Sequence, residues 1–206
     1  MKPQKNTGQF TTESGIPVKR VYMPEDVAHL NYEEILGEPG KPPYTRGLYP
    51  EMYRQKKWTI RQFTGFTTPE ETNKRFKYEF EMGQTGLSIA FDAVTENGLD
   101  STDPRAQADV GAGGVPTNSI DDMEVLFHDL PIEKVNTGVI GNPPASLPLS
   151  AMYFAVAEKR GIPLTKLGGT TQNDILLFTV CNTPIDQIPP HHLIRLSVDL
   201  VEWCAQ

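Results

Sequence analysis

The sequence contains little cysteine and no long apolar segment. Only two of its 206 residues are cysteine, Cys181 and Cys204, which excludes a fold held by several disulfides, and both thiols are expected to be reduced. No apolar run approaches the roughly 20 residues of a membrane helix, so a membrane span is excluded. The residues at the N-terminus are polar with no apolar stretch behind them, which predicts a cytoplasmic protein without a secretory signal.

Positive charge is also scarce. The chain has 19 lysines and arginines against 26 aspartates and glutamates, for a net charge of −7. A general nucleic-acid-binding surface needs an excess of basic residues, so this composition disfavours it. An acidic protein can still hold a phosphate in a local basic pocket.

What the sequence does have is enough apolar material for a folded core. Hydrophobic residues make up 38% of the chain, which is typical of a globular protein of one to two domains. Three segments are predicted: a flexible tail over residues 1–15, an extended arm over 16–66 that is rich in proline and glycine, and a folded part over 67–206. The aromatic residues of the arm are expected to lie on a folded body or a ligand.

The part after the arm alternates helix signals with short β-rich runs. Thr68 and Pro69 supply a cap and a first-turn proline for a helix to about Met82, and Ser119 opens a second helix to about His128. Further helices are predicted over residues 145–159 and 191–205, and strands over 87–91, 135–140 and 167–172. Strands that alternate with helices predict an α/β fold with a parallel sheet.

A closed (β/α)₈ TIM barrel needs eight such rounds and typically about 250 residues. Three predicted strands after a long arm therefore indicate a partial barrel. Because an unpaired strand edge invites association, we expect this edge to be covered in a homo-oligomer or by another chain that supplies further strands.

Residues two apart on a strand share a face, and this parity indicates a channel. Ser88 and Ala90 lie opposite Leu87 and Ile89. The matching positions of the later strands are Gly138, Gly168, Thr170 and Gln172. Barrel interiors are ordinarily filled by bulky branched residues, so small inward residues would leave room for a slender ligand. The alternative is that these residues only allow close helix packing.

Five runs of sequence carry a resemblance to a known family. They are residues 43–53 (PYTRGLYPEMY), 58–66 (WTIRQFTGF), 73–78 (NKRFKY), 83–92 (GQTGLSIAFD) and 169–175 (GTTQNDI). Together they resemble the N-terminal part of the large subunit of adenosylcobalamin-dependent acyl-CoA mutases, the methylmalonyl-CoA and isobutyryl-CoA mutase family. The resemblance implies a barrel whose axis receives the pantetheine arm of coenzyme A.

Residue by residue, the resemblance implies a set of ligand contacts. Those to the acyl-CoA thioester fall on Tyr49, Met52, Lys56, Thr59, Arg61, Ser88, Thr170 and Gln172. Arg61 and Lys56 would neutralise phosphates, and Gln172 would act as the catalytic residue that holds the thioester carbonyl. The resemblance also implies that Phe91, Gly113 and Cys181 lie beside the cobalamin.

Several positions depart from the family pattern. Phe63 and Asn182 stand where methylmalonyl-CoA mutases place a tyrosine and an arginine that grip the free carboxylate of the substrate. Burying an unpaired carboxylate there would be costly, so the resemblance implies an uncharged branched acyl group such as isobutyryl. Gly138 and Ile140 replace hydroxyl side chains, and Glu51 adds a negative charge beside the expected phosphates, changes that indicate a diverged site.

The remaining strands and the cobalamin-binding domain of the family have no counterpart in these 206 residues. The leading hypothesis is therefore the acyl-CoA-binding part of a cobalamin-dependent carbon-skeleton mutase that a partner chain completes. The alternative is a non-catalytic or repurposed module that binds a CoA or carrier-protein thioester or a partner protein. No metal site is predicted, because His191 and His192 have no further ligands at suitable spacing.

Overall fold

The structure, a computed structural model, describes residues 10–180 and 188–206. The chain divides into two compact units, Met1–Trp58 and Thr59–Gln206. Residues 1–9 of the predicted tail, and Cys181 and Asn182 of the predicted site, lie outside the described residues. No helix of the described parts is long and apolar enough to cross a membrane.

The first unit is built from turns and very short elements. Strands β1 (Phe10–Thr11) and β2 (Pro17–Val18) pair antiparallel, helix α1 spans Tyr32–Ile35, and two 3₁₀ turns span Pro24–Asp26 and Met52–Arg54. The Asn31 side chain caps α1 by accepting a hydrogen bond from the Glu33 amide at 3.0 Å. Short turns thus make up most of the segment predicted as the arm, and residues 10–11, which belong to the predicted flexible tail, form a strand.

The second unit contains a parallel sheet of four strands in the order β3 (Phe63–Thr64), β4 (Gly86–Ala90), β5 (Asn136–Ile140) and β6 (Gly168–Thr171). The register pairs Phe63 with Ser88, Ser88 with Gly138 and Gly138 with Thr170. The three predicted strands are confirmed. Strand β3 was not predicted, because two residues are too few to show an alternating pattern.

Helices follow the strands as the alternation predicts. They are α2 (Pro69–Glu81), α3 (Ala93–Glu96), α4 (Ile120–Leu126), α5 (Pro143–Lys159), α6 (Ile175–Val180) and α7 (Pro190–Cys204). The predicted caps are confirmed: Thr68 accepts from the Glu71 amide, and Ser119 and Asp122 form a capping box. Helices α3 and α6 were missed because so short a helix shows no hydrophobic period.

The core lies on one side of the sheet. Leu87 and Ile89 of β4 and Val139 of β5 pack with apolar residues of α2, α4 and α5, such as Phe76 and Met123. The chain therefore has the mixed α/β architecture with a parallel sheet that the sequence predicted. Within the described residues the sheet is an open one with β3 and β6 at its edges, so a closed barrel is not formed by these strands alone.

A buried carboxylate on α2 ties this helix to the sheet. Glu79 is only 4% exposed. It accepts hydrogen bonds from the Thr64 hydroxyl at 2.7 Å, the Arg75 Nε at 2.9 Å and the Gln84 amide at 3.1 Å. Since Thr64 ends β3 and Gln84 lies two residues before β4, one side chain holds the end of one strand and the approach to the next.

We expect Glu79→Ala to lower the free energy of unfolding by about 3 kcal/mol, because the buried Thr64 hydroxyl loses its acceptor and the Gln84 amide keeps only the Gly86 carbonyl. Urea denaturation followed by circular dichroism measures this change. The control is Glu81→Ala on the same helix, whose exposed side chain should contribute less than about 0.5 kcal/mol. Equal losses for the two variants would contradict the assigned role of Glu79.

Candidate functional site

The two faces of the sheet differ in the size of their side chains. Leu87, Ile89 and Val139 enter the helix-covered core. The opposite face, which we call the small-residue face, carries Gly86, Ser88 and Ala90 of β4, Asn136, Gly138 and Ile140 of β5, and Gly168 and Thr170 of β6. The parity prediction is therefore confirmed for β4. It is Leu87, Ile89 and Val139 that pack with the core helices, and the channel along the small-residue face stays a prediction.

One row of the register crosses the small-residue face from edge to edge. It consists of Phe63, Ser88, Gly138 and Thr170. A Cβ at Gly138 would lie 3.2 Å from the Ser88 Oγ and 3.3 Å from the Ile140 Cδ1. Glycine therefore keeps a space between these two side chains, and a larger residue would fill it.

Arg61 is brought onto this face by the segment that leads into β3. The Ile60 carbonyl accepts hydrogen bonds from the Thr85 and Gly86 amides at 2.9 and 3.1 Å, and the Thr85 hydroxyl accepts one from the Ile60 amide at 2.9 Å. The Arg61 guanidinium extends to β5 and β6. There its Nη1 donates to the Asn136 Oδ1 at 2.8 Å and makes a longer contact of 3.5 Å with the Thr170 Oγ1.

This arrangement places a cation at the amino end of the sheet. Gly86 and Asn136 are the first residues of β4 and β5. Gln172 follows the last residue of β6 and is half-buried at the carboxyl end. Two of the predicted contacts therefore lie at opposite ends of the strands: Arg61 at the amino end and Gln172 at the carboxyl end.

The carboxyl end of β4 leads into a loop that Asp92 organises. One oxygen of the buried Asp92 carboxylate caps α3 by accepting from the Thr95 amide at 2.8 Å, and the other accepts from the Gly111 amide at 2.7 Å. Gly113 of this loop is exposed and has a φ of +75°, a conformation that favours glycine. Phe91 is 3% exposed in the core and forms a bridge with Val115, so its placement gives no support to a contact with a corrin ring.

Next to Asp92, the half-buried carboxyl of Glu96 has a raised pKa. Burial is the main cause, and the charge of Asp92 adds to it. An acid whose pKa is raised by folding contributes most to stability below its ordinary pKa of 4.5, and this contribution is lost as the pH rises through the raised pKa.

We therefore expect Glu96→Gln to raise the free energy of unfolding at pH 7, by less than about 1 kcal/mol because the group is partly solvated. The gain should disappear when denaturation is repeated below pH 4.5. Glu158→Gln, a change at an exposed position of α5, serves as the control. A gain of the same size at both pH values would refute this interpretation.

Three predicted contacts of the first unit lie on one turn. The Met52 Sδ accepts from the Tyr49 amide at 3.5 Å, and the Met52 carbonyl accepts from the Lys56 amide at 3.1 Å. Met52 adopts a φ of +43°. The structure therefore brings Tyr49, Met52 and Lys56 together. Thr59 belongs to the second unit, where its Cγ2 would lie 2.7 Å from a Cβ at Gly86.

Of the two residues predicted to shape the acyl pocket, the structure describes only Phe63. Phe63 is 60% exposed at the edge of the sheet, and Asn182 lies outside the described residues. Sequence reasoning missed Asn136, the nearest partner of Arg61. The available signal was its position two residues before Gly138, which puts it on the same face of the strand.

The described residues contain no group of three or more potential metal ligands. His191 and His192 lie at the start of α7 with their ring centroids 4.0 Å apart. A cavity of about 690 Å³ opens beside β6 and between β5, α5 and α7, with Thr170 of the predicted site as well as Tyr153 and Trp203 in its wall. Most of its lining is apolar, unlike the groups around Arg61.

Comparison with known proteins gives consistent matches. Residues 11–206 match the family described as methylmalonyl-CoA mutase. The 2-hydroxyisobutanoyl-CoA mutase large subunit of Aquincola tertiaricarbonis is 47% identical over 206 residues, which are 100% of this chain and 36% of that protein. Human mitochondrial methylmalonyl-CoA mutase is 42% identical over 95% of this chain and 25% of its own length. The Escherichia coli methylmalonyl-CoA mutase is 42% identical over 94% of this chain and 27% of its own length.

Proposed function

Because the chain belongs to the methylmalonyl-CoA mutase family, we propose that it is the acyl-CoA-binding part of a cobalamin-dependent carbon-skeleton mutase. The observation that carries the proposal is the Arg61 guanidinium, held over a sheet face of small residues at 2.8 Å from Asn136. A cation at one end of a narrow polar strip is suited to a long ligand with an anionic end. Coenzyme A has this form.

The direction of the strands supports one orientation of that ligand. In α/β barrels the reacting groups gather at the carboxyl ends of the strands. Arg61 lies at the amino end, where it would neutralise phosphate through charge-assisted hydrogen bonds. The hydroxyls of Ser88 and Thr170 would contact the pantetheine arm, and Gln172 would donate to the thioester carbonyl. This assigns binding and orientation to the chain's own residues.

The turn of the first unit supplies the remaining proposed contacts. Tyr49, Met52 and Lys56 share that turn, so an ordered turn would present an aromatic ring, a thioether and an ammonium together. Lys56 would act as a point charge toward a phosphate. Thr59 would add a hydroxyl beside Arg61.

We propose an uncharged branched acyl group as the substrate class. Phe63 carries no hydrogen-bonding group, and Asn182 has no charge, so a free carboxylate would find no cation at these two positions. The name of the Aquincola tertiaricarbonis relative specifies a 2-hydroxyisobutanoyl thioester, which is branched and uncharged in its acyl part. Isobutyryl-CoA is the simplest candidate of this class.

We propose that a partner chain covers part of the second unit. The chain spans only 25–36% of the length of the three relatives named above, and β6 forms a sheet edge within the described residues. Helices α6 and α7 also expose apolar side chains, namely Leu176, Val180, Ile194, Val198 and Val201. A chain that adds strands at β6 and covers these helices would remove both features.

Adenosylcobalamin, which supplies radical chemistry when bound, does not fit the described residues as its only holders. Phe91 is buried in the core, and Gly113 alone of the proposed contacts is described as exposed. We therefore propose that the partner chain holds the cofactor. This chain would contribute only the loop at the carboxyl end of β4.

The experiment is a calorimetric titration of the 206-residue chain with isobutyryl-CoA and methylmalonyl-CoA. We expect isobutyryl-CoA to bind at least about tenfold more tightly, since burial of an unpaired carboxylate is unfavourable. The mutase assay then adds adenosylcobalamin and a co-encoded chain that carries the cobalamin domain, and follows conversion to the linear isomer. Absence of CoA binding refutes the proposal. Binding without turnover in any combination favours the non-catalytic module, which the names of the relatives do not support.

A further inference from the structure

Asn136 is the described residue in closest contact with the Arg61 guanidinium, although it was not among the expected ligand contacts. Its Oδ1 accepts from the Arg61 Nη1 at 2.8 Å across 75 residues of sequence. We propose that Asn136 is a positioning residue: its neutral carboxamide fixes the Arg61 guanidinium over the small-residue face so that it is ready for an anion. This inference rests on the proposed function, which names that anion as the phosphate end of coenzyme A.

The Arg61 side chain is long and crosses a neighbouring strand, so a contact with its guanidinium is needed to hold it in one position. Arg61 lies before β3 and reaches past β4 to arrive at β5. It passes Gly86, where a Cβ would lie 3.5 Å from the Arg61 Cδ and only 2.7 Å from the Thr59 Cγ2. A long exposed side chain loses rotamer entropy when it is immobilised. A contact that already orders it in the free protein reduces that loss on binding.

The neighbouring residues restrict the position of the Asn136 side-chain amide. It is half-buried at the first position of β5, and its Nδ2 lies 3.6 Å from where a Cβ of the neighbouring Gly168 would stand. The second partner of Arg61, the Thr170 hydroxyl, lies at the longer distance of 3.5 Å. Asn136 therefore supplies the stronger of the two contacts.

Neutrality of the partner distinguishes Arg61 from three of the four other arginines of the second unit; the fourth, Arg160, donates to the Leu130 carbonyl at 3.4 Å. Arg75, Arg105 and Arg195 each lie within 3.7 Å of a carboxylate oxygen. Arg61 forms no ion pair among the described residues, and its side chain bonds there only to Asn136 and Thr170. An amide oxygen orients a guanidinium and leaves its charge uncompensated, whereas a carboxylate would compete with an incoming phosphate.

The test compares Asn136→Ala, Asn136→Asp and Asn136→Ser in the full chain, titrated with coenzyme A and with pantetheine. We expect Asn136→Ala to weaken coenzyme A binding about three- to tenfold through the lost order of one side chain. Asn136→Asp should weaken it further, because it pairs with the cation, and Asn136→Ser should fall between Ala and the parent chain. Pantetheine, which has no phosphate, should bind these variants equally.

A second readout does not depend on the ligand. In the free protein, nuclear magnetic resonance of the arginine side chains should show restricted rotation of the Arg61 guanidinium, and Asn136→Ala should release it while the backbone spectrum stays folded. Unchanged Arg61 signals in Asn136→Ala overturn the positioning role. So do additive losses of affinity in the Arg61→Ala and Asn136→Ala double variant. Failure of the parent chain to bind coenzyme A overturns the proposed function instead. The arginine spectrum then tests by itself whether Asn136 holds the Arg61 guanidinium in place.

Discussion

Arg61→Ala is expected to weaken the binding of coenzyme A by roughly 10- to 150-fold, because a hydrogen bond to a charged group contributes about 1.5–3 kcal/mol. The guanidinium is exposed on the small-residue face and lies 2.8 Å from a neutral acceptor. Its charge is therefore not matched by a described carboxylate. Titration calorimetry at low and at moderate salt measures the effect, and the loss should shrink as salt screens the phosphate.

Two further variants decide whether charge or geometry is lost. Arg61→Lys keeps the positive charge but not the planar fork, so it should retain part of the affinity. Arg195→Ala is the matched control, since Arg195 lies on α7 with a side chain 80% exposed and 3.7 Å from Asp199. It should leave affinity unchanged. An equal loss in Arg61→Ala and Arg195→Ala would show that the effect is only one of net charge and would remove Arg61 from the site.

Local signals in the sequence predicted the elements that depend on neighbouring residues. The cap at Thr68 with the following Pro69 fixes the start of α2, and both act within one helical turn. The alternation of Leu87, Ser88 and Ile89 gives the faces of β4 directly, since the side-chain period of a strand is two. These features need no knowledge of the rest of the chain.

The features that were missed depend on contacts between distant residues. Strand β3 exists because Thr64 pairs with Ile89 and its hydroxyl meets Glu79 of α2, and neither partner is visible in a run of two residues. The contact between Arg61 and Asn136 likewise joins the approach to β3 with the start of β5. Neither the amino-acid composition nor the hydrophobic period of a segment identifies such a pair of distant residues. The resemblance to a family supplied Arg61 as a candidate, and the structure supplied its partner.

The proposed ligand-binding strip and the surface proposed to meet a partner are different features of the second unit. The four strands that carry the small-residue face, and Arg61 with them, belong to one unit, so the strip proposed to bind the ligand lies within the described part of the chain. Within the described residues, β3 and β6 form the two edges of the sheet, and α7 exposes apolar side chains. The proposed binding of coenzyme A and the proposed assembly with a partner can therefore be measured independently of each other.

Gly65→Ala is expected to lower the free energy of unfolding by about 3 kcal/mol or more, because the strands have no room for a methyl group at this position. A Cβ on Gly65 would lie 1.8 Å from the Ala90 carbonyl oxygen and 2.8 Å from its carbon. The atoms in the way belong to backbone, so no side-chain rotation relieves the clash. The Ala90 carbonyl also accepts the Val115 amide at 2.8 Å, and a Cβ on Gly114 would approach it to 2.5 Å from another direction.

Gly168→Ala provides the matched control for this prediction. Gly168 lies in the same sheet, its φ is not positive, and the nearest atom to its Cβ would be the Asn136 Nδ2 at 3.6 Å. The change should therefore leave stability the same or raise it by about 0.4–1 kcal/mol through the unfolded chain. Urea denaturation of both variants measures the difference. Because Ala90 ends β4, a displaced carbonyl in Gly65→Ala would also disturb the loop that Asp92 holds, whereas equal stabilities of the two variants would show that β3 does not approach β4 as closely as Gly65 requires.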